Sequence, residues 1–167
     1  MMGPLHEMFL EELREMYDAE DQLTKALPKL AEAAADPQLQ QAFESHLEET
    51  RGHFERLERV FEALGEKTKG KDSHAMKGLV KEGGEIIDEK GDMPDPVVDA
   101  GLIAAAQKVE HYEIASYGTL ITWARMMGHD EVVELLEQTL AEEKAADETL
   151  NSLATHGINQ QAMASAA

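Results

Sequence analysis

Carboxylate side chains interrupt the apolar stripes of the helices that this sequence predicts. Glu20 is the single acid among seven stripe positions of the first helix, and Glu110 and Glu113 hold consecutive stripe positions of the third. In the fourth helix Glu143 stands in the stripe, and Asp147 follows one turn later. Carboxylates in a dry interior are unfavourable unless protons, basic side chains or metal ions neutralise them. No Lys or Arg holds a central stripe position, so the pattern favours a metal site.

Two histidines of the second helix extend this pattern. His46 and His53 fall inside its buried arc, and Glu49 lies at the border of that arc. Counted from the turns at about 1.5 Å per residue, Glu49, His53 and the acids of the other helices lie midway along the helices, at about one level. An oxygen-rich set with one or two imidazoles suits iron or manganese, and bridging carboxylates can hold two ions. Zinc is an ion that a crystal could contain at the same ligands.

The candidate site residues fall into two groups. The predicted metal ligands are Glu20, Glu49, His53, Glu110, Glu113, Glu143 and Asp147. The side chains predicted to lie beside the ligands are Tyr17, Tyr117 and His46. Which of the two histidines binds metal stays open, and aromatic core packing is the alternative role of the two tyrosines.

The elements that position these residues are all helical. Helix-forming residues dominate, and runs of Val, Ile and Thr with a period of two are missing. Asp36-Pro37 is typical of a helix start, and Gly65, Gly128 and Gly157 fall where helices should stop. The sequence therefore predicts four long helices and one short helix in the crossover 66–95, with these ranges: 5–35, 37–64, 73–90, 96–127 and 130–155.

The lengths of the connections predict the topology. The first two long helices, and likewise the last two, are joined by only a few residues, which makes each pair an antiparallel hairpin. About thirty residues join the two hairpins, enough for the chain to return along the bundle. This is the arrangement of a ferritin-like four-helix bundle in a single domain over 1–157, with a frayed tail at 158–167.

Composition excludes several classes of partner. The 167-residue chain has 34 acidic and 15 basic residues and a formal net charge of −19, which disfavours nucleic acid and anionic membranes. It contains no cysteine, so disulfides, thiolate nucleophiles and iron–sulfur clusters are excluded. No stretch approaches the roughly 20 apolar residues of a membrane span, and no secretory signal is evident. We expect a cytoplasmic protein.

Four segments resemble the YciF-like bacterial stress proteins, a group of the ferritin-like superfamily related to rubrerythrin. These segments are 17–23, 46–50, 110–118 and 141–147, and the resemblance extends over about 5–155. It implies a mid-bundle metal site, a homodimer and a role in stress. It also implies that Glu20 is a terminal ligand, that Glu49 and Glu143 are bridging ligands, and that Glu110 or Glu113 is the third-helix ligand.

This chain departs from the ligand pattern of that superfamily, Glu-x-x-His, on two helices. The second helix has Glu49-x-x-x-His53 and the reversed His46-x-x-Glu49, and the fourth has Asp147 four residues after Glu143. One of the two metal positions could therefore be weak or empty.

Two classes of function fit the sequence. The first is a di-metal protein that handles peroxide, dioxygen or ferrous iron by rubrerythrin-like or manganese-catalase-like chemistry. A peroxidase of this kind would need an external reductant because the chain lacks cysteine. The second is a non-enzymatic stress protein, a helical bundle that binds a partner and has structural metal or none. Whether the protein is an oxidoreductase stays open at this point.

Overall fold

The computed structural model describes residues 3–165 and is all-helical, as predicted. The chain forms α1 (Pro4–Ala33), α2 (Pro37–Leu64), α3 (His74–Asp88), α4 (Asp95–Met126) and α5 (Asp130–Leu153), followed by a π-helical turn (Ala154–Ile158) and α6 (Asn159–Ala164). The predicted helix ends differ from these bounds by about two residues or fewer, within the usual uncertainty of helix boundaries.

Local signals in the sequence set the ends of α2 and α4. The Asp36 carboxylate accepts hydrogen bonds from the backbone N–H groups of Gln38 and Leu39, so it caps α2 as predicted. Gly65 ends α2 with φ 68°, and Gly128 follows α4 with φ 76°. Both are left-handed conformations that glycine adopts without steric cost.

Helices α1 and α2 form an antiparallel pair. Only residues 34–36 join them. Leu27 and Phe43 lie close to this connection and line one cavity, while Tyr17 and Phe54, farther from it, stack with ring centroids 4.3 Å apart. The two helices therefore run in opposite directions.

Helices α4 and α5 pair in the same way. Arg125 bonds to Glu137 near their connection, and Gln107 donates to Asp147 farther away. The two pairs then pack against each other, α2 on α5 and α1 on α4, and α3 covers α1 and α4. The apolar core between them includes Phe9, Leu13, Met16, Phe43, Leu102 and Tyr117.

Buried Asp99 fastens the α1–α2 connection to α4. Its two carboxylate oxygens accept hydrogen bonds from the backbone N–H groups of Ala35 and Asp36, each at 2.8 Å. Asp18 of α1 accepts at 2.8 Å from the N–H of Ser73, which in turn caps α3. Two buried or half-buried carboxylates thus hold loop backbone, a role that requires no metal.

A further helix follows the predicted end of the bundle. Gly157 has a non-helical backbone conformation, with φ 179° and ψ −58°, so a kink interrupts the helix there, where the sequence predicts a stop, before α6 begins. Ile158 is buried, which brings the first residue of the predicted tail 158–167 against the core, and the chain stays helical as far as Ala164. Residues 166–167 of that tail lie outside the described residues. Among residues 3–165, no helix is both long and apolar enough to cross a membrane.

Candidate metal centre

Six ionisable side chains from four helices are buried together between the two hairpins. α1 supplies one of them, α2 two, α4 two and α5 one. These residues, called the buried cluster below, are Glu20, His46, His53, Glu110, Glu113 and Glu143.

The buried cluster divides into two groups that share one residue. His46, Glu110 and Glu113 form the first group with Glu143, and Glu20 and His53 form the second with the same Glu143. Within each group, one ligand atom per residue lies within 4.8 Å of all the others. Ligands bind a transition metal at about 2.0–2.2 Å, so those on opposite sides of one ion are about 4 Å apart. Each group therefore has the spacing of ligands around one ion.

The side chains of the cluster do not satisfy one another's hydrogen-bonding capacity. His46 Nε2 is 2.9 Å from Glu110 Oε1, and His53 Nδ1 is 2.7 Å from Glu143 Oε1. Both nitrogens nevertheless lack a correctly directed hydrogen bond within the described residues. The same holds for Glu20 Oε2, Glu110 Oε2 and both carboxylate oxygens of Glu113 and Glu143. Buried polar atoms are almost always paired, so this concentration of atoms without partners, divided over the two groups, has the chemistry of a site for cations.

A second layer of side chains holds two members of the cluster. Glu142 Oε2 lies 2.7 Å from His53 Nε2, and Arg56 donates to both oxygens of Glu142, at 3.1 and 3.2 Å. Tyr117 O–H donates to Glu20 Oε1 at 2.5 Å. With Nε2 facing Glu142, the His53 ring presents Nδ1 to the cluster, which is how second-layer carboxylates orient metal-binding histidines.

Burial and mutual repulsion shift the pKa values of the cluster. Burial raises the pKa of Glu110 and of Glu113 well above the usual range, and the charge of Glu143 raises that of Glu113 further. Burial opposes the charged form of His53, but the adjacent carboxyl groups of Glu143 and Glu20 outweigh this and raise its pKa to about 10. In Glu143, the adjacent side chains of Glu110, His53 and His46 outweigh burial and lower the pKa. In the absence of metal, the cluster therefore retains protons that cations would displace.

Two predicted ligands lie outside the cluster. The Glu49 side chain is 45% exposed, and its Oε2 is 3.4 Å from His46 Nδ1, on the side of the ring away from the cluster. Asp147 lies at the α4–α5 edge, where its carboxylate contacts His111 Nε2 at 3.1 Å and Gln107 Nε2 at 3.2 Å. The Glu49 side chain points away from the cluster because it lies at the border of the buried face of α2. The Asp147 side chain, one turn after Glu143, points toward α4 instead.

The two tyrosines have different surroundings. Tyr117 is fully buried beside Glu20. Tyr17 stacks on Phe54 and bonds to Glu58 at 3.1 Å, so it packs among aromatic rings away from the cluster. Sequence reasoning missed Glu142, which lies next to Glu143 but about 100° around the helix from it. The only indication of this role in the sequence was that Glu142 could pair with a basic residue, Arg56, on a facing helix.

The fold and the buried cluster define a class of all-helical proteins with carboxylates and histidines gathered between two helical hairpins. The chain belongs to the family described as Domain of unknown function (DUF892), which it matches over residues 4–163. The resemblance to YciF-like proteins is thereby confirmed, because Protein YciF of Escherichia coli (strain K12) is 48% identical over 164 residues, 96% of each chain.

Solved structures agree with this membership. The crystal structure of the E. coli stress protein YciF matches with a TM-score of 0.89 and 48% identity, over 95% of this chain and 99% of that one. YcfI from Rhodopseudomonas palustris matches with a TM-score of 0.86 and 47% identity, over 90% of this chain and 94% of that one. A protein from Xanthomonas campestris, 22% identical with a TM-score of 0.72 over 94% and 97% of the two chains, shares the fold.

Proposed function

We propose that this protein is a ferritin-like four-helix bundle that binds two divalent transition-metal ions, iron or manganese, in the buried cluster and handles peroxide or ferrous iron under stress. The observation that carries the proposal is the division of the cluster into two ligand groups that share Glu143. The description of the 48% identical E. coli relative as a stress protein supports the physiological role.

The donor set fits such a pair of ions. His46, Glu110 and Glu113 would hold one ion, Glu20 and His53 the other, and Glu143 both. These four carboxylates carry four negative charges, which two divalent ions neutralise. Oxygen-rich ligands with one imidazole per ion suit iron and manganese. When bound, the ions supply the electrons that reductive cleavage of a peroxide O–O bond requires.

The protein's own residues position the ligands. Arg56 fixes Glu142, and Glu142 fixes the ring of His53 with Nδ1 facing the cluster. The Tyr117 hydroxyl holds Glu20 in the same way. Since the chain contains no cysteine, electrons for a peroxidase reaction come from a separate reductant, whereas a catalase-like dismutation needs none.

Metal stoichiometry tests the assignment. Protein purified without chelator and loaded with Fe(II) or Mn(II) is expected to bind two ions per chain. Glu143→Gln should bind none or one weakly, and Glu110→Gln and Glu20→Gln one each. Asp147→Asn is the matched control, one turn from Glu143, and should still bind two. A wild-type protein that takes up neither ion, and whose stability neither ion changes, would refute the proposal and favour a non-enzymatic helical bundle.

We propose further that the protein is a cytoplasmic homodimer, as the resemblance to YciF-like proteins implies. The net charge of −19 supports the accompanying proposal that nucleic acid and anionic membranes are not its partners. Light scattering of the purified chain tests the dimer, and a monomer at micromolar concentration would contradict it.

A further inference from the structure

A cavity of about 480 Å³ leads from the protein surface to the buried cluster. Its exposed rim consists of α2 and α5 residues, including Glu49, so it opens between these two helices. At its inner end lie His46 and Glu110. Its walls are largely apolar and include Leu27, Phe43, Ala106, Ala146, Leu150 and Leu153.

The inner end of the cavity presents unpaired polar atoms. His46 is 6% exposed and Glu110 is 1% exposed, and both line the cavity. His46 Nε2 and Glu110 Oε2 lack hydrogen-bond partners among the described residues. A ligand with a hydroxyl-type head group would therefore place that head beside these two proposed metal ligands, while its body contacts the apolar walls.

The size and charge of the cavity select among ligands. A water molecule occupies about 30 Å³ of liquid, and hydrogen peroxide is only slightly larger, so neither fills a space of this volume. Pockets of about 300–1,000 Å³ with apolar walls and a few polar groups are typical of sites for organic molecules. Glu49 at the rim and the net charge of −19 disfavour a carboxylate head by like-charge repulsion. The fitting ligand has an apolar body and a neutral head.

We propose that this cavity binds organic hydroperoxides, with the hydroperoxyl group at His46 and Glu110 and the apolar body against the walls. The proposal rests on the proposed function, of which it names the substrate class. The O–O bond breaks, one oxygen leaves as the alcohol ROH and the other as water. Two electrons and two protons are consumed, and oxidation of a dithiol reductant to its disulfide supplies both.

Binding of primary alcohols tests the cavity without turnover, since alcohols resemble the reaction product. Calorimetric titration of zinc-loaded protein with the series from ethanol to hexanol should show affinity rising about fourfold per methylene, the factor for burying one such group. Hexanoate should bind at least tenfold more weakly than hexanol. Equal affinity along the series, or tighter binding of hexylamine than of hexanol, would overturn the proposal.

A matched pair of variants locates the binding. Ala146 is half-buried in the cavity wall and Ala141 is exposed on the same helix outside it. Ala146→Phe should weaken hexanol binding at least tenfold, and in the iron-loaded protein it should slow cumene hydroperoxide reduction by a similar factor. Ala141→Phe should change neither. Equal hexanol affinity in the two variants would contradict the assigned location.

The two proposals fail in different ways. If hexanol binds as described but the metal-loaded protein consumes no peroxide, the proposed function is wrong and the cavity remains a site for neutral apolar ligands. If the wild-type protein consumes hydrogen peroxide but binds no alcohol and does not reduce cumene hydroperoxide, the proposed function stands and the hydroperoxide site is refuted.

Discussion

Replacing Glu113 by leucine should stabilise the metal-free protein and weaken its metal binding. Glu113 is fully buried, and neither carboxylate oxygen has a hydrogen-bond partner among the described residues. A buried polar group without a partner costs about 1–3 kcal/mol. Leucine has a similar size and needs no partner, so removal of this penalty should raise the free energy of unfolding by about 2 kcal/mol.

The effect is measurable by urea unfolding in the presence of chelator. For a chain of this length, a gain of about 2 kcal/mol corresponds to a melting temperature higher by roughly 4–8 °C. With metal at 100 times its dissociation constant, each occupied site should stabilise the wild-type protein by about 2.7 kcal/mol. Glu113→Leu should lose at least half of the gain from the ion of the first group, because one ligand of that group is missing.

The control is Glu148→Leu, which removes an exposed acid on α5 and should change stability by less than about 0.5 kcal/mol. If Glu113→Leu instead destabilised the metal-free protein by 1 kcal/mol or more, the carboxylate would be contributing to the packing. The idea that the cluster exists for a cation would then be refuted.

Two further results are expected. The pKa values of Glu110 and Glu113 are raised, and that of His53 rises from 6.5 to about 10, so the metal-free folded state holds more protons than the unfolded state between about pH 5 and pH 10. Its stability is therefore greatest at the acid end of this window and declines as pH rises, and a melting temperature that increased from pH 5 to pH 9 in chelator would contradict this reasoning. Asp99→Ala leaves two loop N–H groups without their acceptor and should cost about 3 kcal/mol in urea unfolding, whereas a loss below 1 kcal/mol would show that water replaces the carboxylate.

The sequence predicts most of the helical framework because the relevant signals are local. Asp36-Pro37 and Gly65 mark the two ends of α2, and the structure places those ends as predicted. The stripe pattern also predicts buried acids at four positions that the structure buries together, namely Glu20, Glu110, Glu113 and Glu143. An acid in place of a core leucine is visible in the sequence because the neighbouring stripe positions fix the direction of that helix face.

The remaining site residues depend on how the hairpins dock, which the stripe pattern does not determine. Counting residues from a turn gives depth along a helix but not the direction of a side chain at the edge of the buried arc. Glu49 and Asp147 therefore had the right depth but lie beside the cluster. Glu142, in contrast, was not predicted but does contact the cluster. Arg56 and His53 reach it only after α2 has packed against α5.

The distribution of the cluster over all four long helices determines when it forms during folding. Each hairpin consists of contacts between helices joined by a short turn, whereas Glu20 and Glu143 meet only when the two hairpins dock. The unfavourable burial of carboxylates is thus concentrated in this late step. A cation that binds only the docked state stabilises contacts that are absent from an early transition state. Bound metal should therefore slow unfolding while leaving the folding rate almost unchanged.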